Sequence, residues 1–405
     1  MEHLSFGGLL VVALIAVGAP IVVAALRLKI PAPVIEIVAG IIMGPSLLKW
    51  VKIDAPISVL ALVGVAFLLF LAGLEIDLDR LRGRVLHVAL LGYLVTLAFG
   101  VVVGVSAHAA GLVKNPLLLA VALSATSLGL VIPVLKDAGQ AETPIGQYTI
   151  AGATVADFAA VVLLSLLFSQ SKGGPGSKIF MFGAFLVVVL VVAVTLGRAG
   201  RAMRFDSLIT RLQDTTAEIR VRIAVALLIG FVALAERVGL ETILGAFLAG
   251  AVLNLVDRDT MSHPRFRAKL DAVGYGFVIP VFFVASGIAL DLKGVFSSAS
   301  GIVRIPVFLA ALLLVRGAPA LLYRPVTGTR GAVAAGLLQA TSLPFLVTAT
   351  SIGVSIGAIN AVTGAALVCA GLLSVVIFPA LALAILRRGD SVEPMTPIVT
   401  KDEVP

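Results

Sequence analysis

The sequence predicts an all-helical membrane protein of about thirteen transmembrane helices, in which two inverted repeats of six flank one linker helix. Of its 405 residues 60% are hydrophobic and 13% charged, whereas soluble domains average roughly 45 to 50% apolar and about 25% charged. Apolar runs of spanning length recur along the chain. The sequence Ala-Thr-Ser-Leu also occurs twice, at 125–128 and 340–343, each time inside an apolar run.

Thirteen apolar runs are close to the roughly 17 to 25 residues that cross a bilayer. The predicted spans are 6–26, 32–48, 56–75, 85–111, 115–135, 145–169, 179–200, 219–237, 241–256, 273–291, 301–322, 329–354 and 358–386. The residues from 387 to 405 are predicted to be a short cytoplasmic tail.

The formal net charge of +8 could suggest a nucleic-acid binder, but the basic residues lie in loops between spans. Twenty-one fall in one set of alternate loops and seven in the other. By the positive-inside rule this bias predicts a multi-pass protein of the cell (inner) membrane, with its N-terminus outside and its C-terminus in the cytoplasm. No nucleic-acid partner is expected.

Internal similarity extends beyond the repeated tetrapeptide. Gly73 and Asp77 at the end of span three match Gly287 and Asp291 at the end of span ten, and span two resembles span nine. Six spans on either side of a linker span leave the halves inverted, with broken spans five and twelve crossing at mid-membrane. The alternative is chance similarity between low-complexity apolar runs.

Both repeats of Ala-Thr-Ser-Leu are expected to break a helix. The predicted break positions are Gly129, which follows Thr126 and Ser127, and Thr341, Ser342 and Pro344 in the second copy. Unwound backbone at membrane depth is tolerated only where protein buries it or a water-filled cavity meets it. Two equivalent breaks therefore predict a transport site.

Only two ionisable residues lie well inside spans, Asp157 in span six and Arg316 in span eleven. A carboxylate there is costly and predicts a functional site, although a structural ion pair with Arg316 is the alternative. Arg316 stays protonated, so we expect it to act as an electrostatic partner of Asp157 or of the partial charges of the broken helices. Its alternative is to snorkel toward an interface.

The chemistry expected of Asp157 is competition between a proton and a monovalent cation. Removal from water favours the neutral carboxyl, while a dehydrated cation favours the ionised one. Thr126, Ser127 and Thr154 are candidate oxygen donors, unless their hydroxyls bond back to the preceding helical turn. No cofactor is expected, and the only predicted metal is a monovalent cation at Asp157. The single cysteine, Cys369, excludes a thiolate metal cluster.

Two further acids are candidates for a funnel leading to this site. Glu75 lies at the cytoplasmic end of span three beside Arg80, Arg82 and Arg84, where a solvated interfacial cluster is the alternative. Glu36 lies in span two and could equally face a dimer seam.

With these residues in view, the chain resembles the monovalent cation:proton antiporter-2 family, which contains bacterial sodium/proton exchangers. The matching stretches are Ala39–Ser46, Phe70–Asp77, Ser124–Gly129, Leu244–Gly250 and Pro280–Val284. The resemblance implies a homodimer, with a scaffold of spans 1–3 and 8–10, a moving core of spans 4–6 and 11–13, linker span 7 and elevator-like transport. It makes Asp157 the ion-binding and proton-carrying acid.

Two departures from the family bear on stoichiometry. Ala156 stands where the family has the first of two polar residues. The family's basic residue in the eleventh span is here an arginine, Arg316. With one carboxylate and an arginine that cannot release a proton, we expect an electroneutral exchange of one proton per cation. The family's potassium-efflux systems carry a nucleotide-binding domain, which we do not expect of the predicted tail.

Other functional classes are weighed against this interpretation. An intramembrane aspartyl protease needs two carboxylates that share a proton, and Asp157 has no second intramembrane acid for that role, so an enzyme is not expected. An ion channel or a cation-coupled solute symporter on the same fold stays open. Sodium and potassium are both candidate substrates, because similar oxygens hold both ions.

Overall fold

The computed structural model describes residues 6–26, 30–76, 81–168, 175–200, 218–256 and 264–387. These ranges are helical apart from turns and an isolated β-bridge between Val113 and Ile359. The helices are α1 (Gly7–Ala25), α2 (Ala32–Met43), α3 (Ala55–Leu74), α4 (Gly83–Ala109), α5 (Pro116–Ser124), α6 (Leu128–Asp137), α7 (Pro144–Phe168), α8 (Pro175–Gly200), α9 (Ile219–Arg237), α10 (Thr242–Val256), α11 (Pro264–Val273), α12 (Ile279–Ala289), α13 (Leu292–Phe296), α14 (Ala299–Leu312), α15 (Arg324–Gln339), α16 (Pro344–Ser355) and α17 (Ala361–Arg387). Asp77 and the predicted tail from residue 388 lie outside the described residues.

The prediction of an all-helical membrane protein is confirmed. Nine helical stretches within the described ranges are long and apolar enough to cross a membrane, and α2, α10 and α16 are shorter apolar helices. Helix α9 has the predicted bounds 219–237. The count of thirteen spans and the inverted layout of the repeats stay predictions.

Spans five and twelve are each divided into two helices, as the repeated tetrapeptide predicts. Helix α5 ends at Ser124 and α6 begins at Leu128, while α15 ends at Gln339 and α16 begins at Pro344. Proline suits this first helical position because its missing N–H would have no partner there. The prediction that Gly129 is a break position is wrong, because Gly129 lies in the first turn of α6.

Spans ten and eleven differ from the prediction. Helix α11 begins at Pro264 instead of 273 and continues through a π-helical turn, Gly274–Val278, into α12. Hydropathy missed its first turns because they carry several charges. In span eleven, α14 is followed by a π-helical turn, Leu313–Gly317, and a 3₁₀ helix, Ala318–Tyr323. Pro319 cannot donate the regular helical hydrogen bond.

The helices pack in two groups with the broken helices in the second. In the first group α3 crosses α10 and α2 crosses α12; in the second, α4, α5, α7, α14, α15 and α17 pack together. Glycines allow close backbone contact at both crossings of the first group, Gly73 and Gly250 between α3 and α10, and Gly40 and Gly287 between α2 and α12. A side chain at any of these would collide with a backbone carbonyl of the facing helix. The candidate site lies where the two groups meet.

Candidate ion-binding site

Helix α7 places the Asp157 carboxylate beside the first helix break. Oδ1 accepts a hydrogen bond from the Thr126 N–H at 2.9 Å, and Oδ2 accepts one from the Leu128 N–H at 3.4 Å. Such amides at the start of a helix have no partner within the helix and carry partial positive charge. The carboxyl group of Asp157 therefore lies at the N-terminal end of α6, a position that favours its ionised form.

The two breaks lie against each other. The Ser127 N–H donates to the Thr341 carbonyl at 2.9 Å, and the Leu343 N–H donates to the Ser127 hydroxyl at 3.0 Å. The Thr126 hydroxyl donates to the Gln339 carbonyl at 2.7 Å. These bonds join the unwound segments of spans five and twelve and satisfy backbone groups that regular helices would pair internally.

A cavity of about 210 Å³ opens beside this crossing. Its polar lining comes from Asp157, Glu75, Thr126, Ser127 and Tyr275, and the rest is mainly apolar. In the described part of the chain no three His, Cys, Asp or Glu side chains come together as a metal-binding group. At the crossing itself Asp157 is the carboxylate beside backbone and hydroxyl oxygens, a set that suits a proton or a single monovalent cation better than a divalent metal.

Several predicted positions fall in different places around this cavity. Gly129 and Pro344 line it, whereas Thr341 and Ser342 are fully buried behind it. The Ser342 N–H donates to the Ser374 hydroxyl at 3.2 Å. Thr341 contributes its carbonyl to the crossing through the bond from Ser127.

The three candidate oxygen donors differ in what their hydroxyls do. The Thr154 hydroxyl donates to the Ile150 carbonyl at 2.9 Å, the back-bonding that was the alternative for it. The Thr126 hydroxyl already donates to the Gln339 carbonyl and accepts hydrogen bonds from Arg316. Ser127 accepts one bond from Leu343 and lines the cavity, so its hydroxyl remains the best-placed of the three.

Arg316 is buried and reaches the first break through Thr126. Its Nε and Nη2 donate to the Thr126 hydroxyl at 2.9 and 2.6 Å, Nη1 donates to the Thr96 hydroxyl at 3.2 Å, and Nη2 also donates to the Gly152 carbonyl at 3.4 Å. The snorkelling alternative does not describe this side chain, which is 2% exposed. In this conformation the guanidinium acts on Asp157 across Thr126 and not by a direct ion pair.

Gly152 keeps this arrangement compact. A Cβ there would meet Gln339 Nε2 and Tyr323 Oη, which are themselves joined by a hydrogen bond of 2.8 Å. The Gln339 amide also donates to the Thr149 carbonyl at 3.4 Å. The absence of a side chain on α7 thus lets α15 approach it at the end of the second broken helix.

Of the two candidate funnel acids, the structure brings only Glu75 to the cavity. Glu75 follows the last residue of α3 and lines the cavity together with Asp157. Glu36 is buried in α2, 4% exposed, and is not among the lining residues.

The sequence analysis missed two charged residues near Glu75, which lines this cavity. Arg267 Nη2 lies 3.1 Å from Glu75 Oε1, and Arg267 Nε lies 3.1 Å from Asp271 Oδ1. Both residues lie before the predicted start of span ten at residue 273. The spacing of Arg267, Asp271 and Tyr275 places all three on one face of a helix and could have revealed that α11 extends to the site.

Comparison with known proteins assigns the chain to a family. Residues 12–387 match the family profile described as Sodium/hydrogen exchanger, transmembrane. The chain belongs to the sodium/hydrogen exchanger family. The resemblance inferred from the sequence motifs is thereby confirmed at the level of this family.

Several curated proteins similar to this chain are named as antiporters. The chain is 30% identical to the putative Na(+)/H(+) antiporter YjbQ of Bacillus subtilis, over 97% of this chain and 65% of that protein. It is also 30% identical to the Na(+)/H(+) antiporter of Enterococcus hirae, over 66% of this chain and 69% of the relative. The chain thus spans just under two thirds of the length of YjbQ.

A solved structure has the same fold. The sodium proton antiporter MjNhaP1 of Methanocaldococcus jannaschii superposes with a TM-score of 0.68, covering 94% of this chain and 98% of that protein at 18% identity. At this identity the likeness concerns the fold, and it extends over nearly the whole length of both chains.

Proposed function

We propose that the chain is a secondary active antiporter that exchanges a monovalent cation, sodium or potassium, for protons. The observation that carries this proposal is the position of Asp157, which faces the cavity at the junction of two broken helices and accepts hydrogen bonds from two backbone amides. Family membership and the antiport activity named for YjbQ and for the Enterococcus relative support the same activity.

The chemistry follows from the charge of this one carboxylate. When protonated, Asp157 needs no cation; when ionised in a poorly hydrated cavity, it favours a monovalent cation beside it. Proton and cation then exclude each other at the same oxygens. Bound species that exclude one another and leave on opposite sides of the membrane are exchanged.

We further propose that the exchange is electroneutral, with one proton per cation. Ala156, the neighbour of Asp157, is fully buried among apolar residues and offers no oxygen from its side chain. Arg316 stays charged throughout, because an arginine does not release its proton under physiological conditions. One titrating group therefore serves both ions.

The test measures proton movement in proteoliposomes with an acidic interior after sodium, lithium or potassium is added outside. It compares the native chain, Asp157→Asn and Glu36→Gln, with and without an ionophore that clamps the membrane voltage. Glu36 is the matched control, because it is a buried acid of a membrane helix that does not line the cavity.

A cation that collapses the pH gradient at a rate independent of voltage, in the native chain and Glu36→Gln but not in Asp157→Asn, supports the proposal and identifies the cation. Exchange that survives in Asp157→Asn contradicts it. Current without coupled proton movement would indicate a channel, and accumulation of a solute with the cation would indicate a symporter.

The proposal extends to assembly and movement. We propose a homodimer in the inner membrane with its N-terminus outside, in which spans 4–6 and 11–13 move as a core against a scaffold of spans 1–3 and 8–10. Asp157, Thr126 and Arg316 all belong to the proposed core and would travel together. Cysteine cross-linking between α7 and α10, which belong to different groups, should reduce exchange reversibly.

A further inference from the structure

We propose that Arg267 sets the cation affinity of the site through Glu75, a residue that lines the cavity, by pairing with it as an internal counter-cation. The inference rests on the proposed function. It adds a residue that determines cation affinity without contacting Asp157. Arg267 lies outside the predicted spans, on the charged first turns of α11.

The geometry fixes Arg267 between two carboxylates. Nη2 donates to Glu75 Oε1 at 3.1 Å, and Nε donates to Asp271 at 3.1 Å to Oδ1 and 3.4 Å to Oδ2. The Arg267 and Glu75 side chains are 26% and 20% exposed, so water screens this pair only in part. Glu75 is thereby held at the cavity by a cation that belongs to the protein.

Glu75 needs such a partner because of its place in the fold. It follows the C-terminal residue of α3, where unpaired carbonyls already give partial negative charge. Its carboxylate also shares the cavity with Asp157, a second acid. A carboxylate in this position is favoured only when a positive charge lies beside it.

Two cations can satisfy Glu75, the Arg267 guanidinium and the transported ion. While Arg267 holds Glu75, the transported ion meets one uncompensated carboxylate, Asp157. If Arg267 is removed, the ion meets two, because Glu75 and Asp157 line the same cavity. Arg267 therefore weakens cation binding, which also makes release easier.

The experiment measures equilibrium binding of radioactive sodium and of rubidium, as a probe for potassium, to the purified full chain in detergent. The variants are Arg267→Gln, Arg267→Lys, Glu75→Gln and the double variant Arg267→Gln with Glu75→Gln. Arg265→Gln is the matched control, because Arg265 is an exposed arginine two residues earlier on the same helix. Thermal unfolding in the same detergent shows whether each variant is folded.

We expect Arg267→Gln to bind the cation about fivefold more tightly than the native chain, the effect of one partly screened charge. Glu75→Gln should reverse that gain in the double variant while changing the native affinity little, since Arg267 already occupies Glu75 there. Arg267→Lys should lie between Arg267→Gln and native, because lysine keeps the charge but loses the forked contact.

Equal affinity in Arg267→Gln and Arg265→Gln, weaker binding in a folded Arg267→Gln, or a gain that persists without Glu75 would each overturn the inference. These results are separable from a failure of the proposed function, which would appear as native-like cation binding in Asp157→Asn.

Discussion

The hydrogen bonds of Thr126 predict that its hydroxyl stabilises the buried arginine of the site. In Thr126→Val the side chain keeps nearly the same shape, and the backbone N–H that donates to Asp157 stays in place. The hydroxyl that accepts from Arg316 Nε and Nη2 and donates to the Gln339 carbonyl is lost. The substitution therefore removes the support of Arg316 without removing a ligand of the carboxylate.

The expected cost follows from these contacts. Hydrogen bonds to a charged group contribute about 1.5 to 3 kcal/mol each, and Arg316 would keep its bonds to Thr96 and Gly152. Because Arg316 is only 2% exposed, water cannot replace the missing acceptor. We expect Thr126→Val to lower the free energy of unfolding by about 3 to 5 kcal/mol.

Thr154→Val provides the matched comparison, since the Thr154 hydroxyl makes one neutral back-bond to Ile150. Its loss should cost about 1 kcal/mol or less. Thr126→Ser, which keeps the hydroxyl, should also lie near 1 kcal/mol. Unfolding by SDS titration in mixed micelles gives the three values. If Thr126→Val costs no more than Thr154→Val, Arg316 does not depend on Thr126 and our account of the site is wrong.

Two further predictions concern glycines at close contacts. Gly152→Ala should reduce the yield of folded protein and lower the free energy of unfolding by about 3 kcal/mol, because its methyl group would collide with Gln339 and Tyr323. Gly129→Ala, whose nearest contacts are at ordinary van der Waals distance, should leave that free energy within about 1 kcal/mol of the native value. Size-exclusion profiles and SDS titration compare them. Gly250→Ala should likewise destabilise the α3–α10 crossing by about 3 kcal/mol, whereas Gly230→Ala, with open space around it, should be neutral or slightly stabilising. Equal SDS unfolding curves for Gly250→Ala and Gly230→Ala would contradict the close backbone contact between α3 and α10.

The sequence was sufficient to predict the two helix breaks and the placement of Asp157 and Arg316 inside membrane spans, because each of these features is a local signal. A polar tetrapeptide inside an apolar run, or a single Asp157 in span six, stands out against its neighbours. Hydropathy gave the bounds of helices such as α9 and α10 to within one residue. They were wrong for α11, where Arg265, Arg267 and Asp271 lie within the helix itself.

The partners of these charges could not be predicted from the sequence. Arg316 is 190 residues from Thr126 and lies on a π-helical turn that hydropathy does not predict. The separation of Glu75 from Glu36 likewise depends on which faces of α2 and α3 meet the cavity. Both acids look equivalent in sequence, since each lies in or at the end of an apolar span.

The second helix break indicates what a break of this kind needs in order to be stable. There the Leu343 amide is capped by the neutral hydroxyl of Ser127, and the Ser342 amide by the neutral hydroxyl of Ser374. Uncharged oxygen thus suffices to cap amides of an unwound segment in this same protein. At the first break the carboxyl group of Asp157 accepts the corresponding hydrogen bonds, and when ionised it carries a full negative charge. Its charge exceeds what the backbone requires, and that excess is what a mobile cation or proton can neutralise.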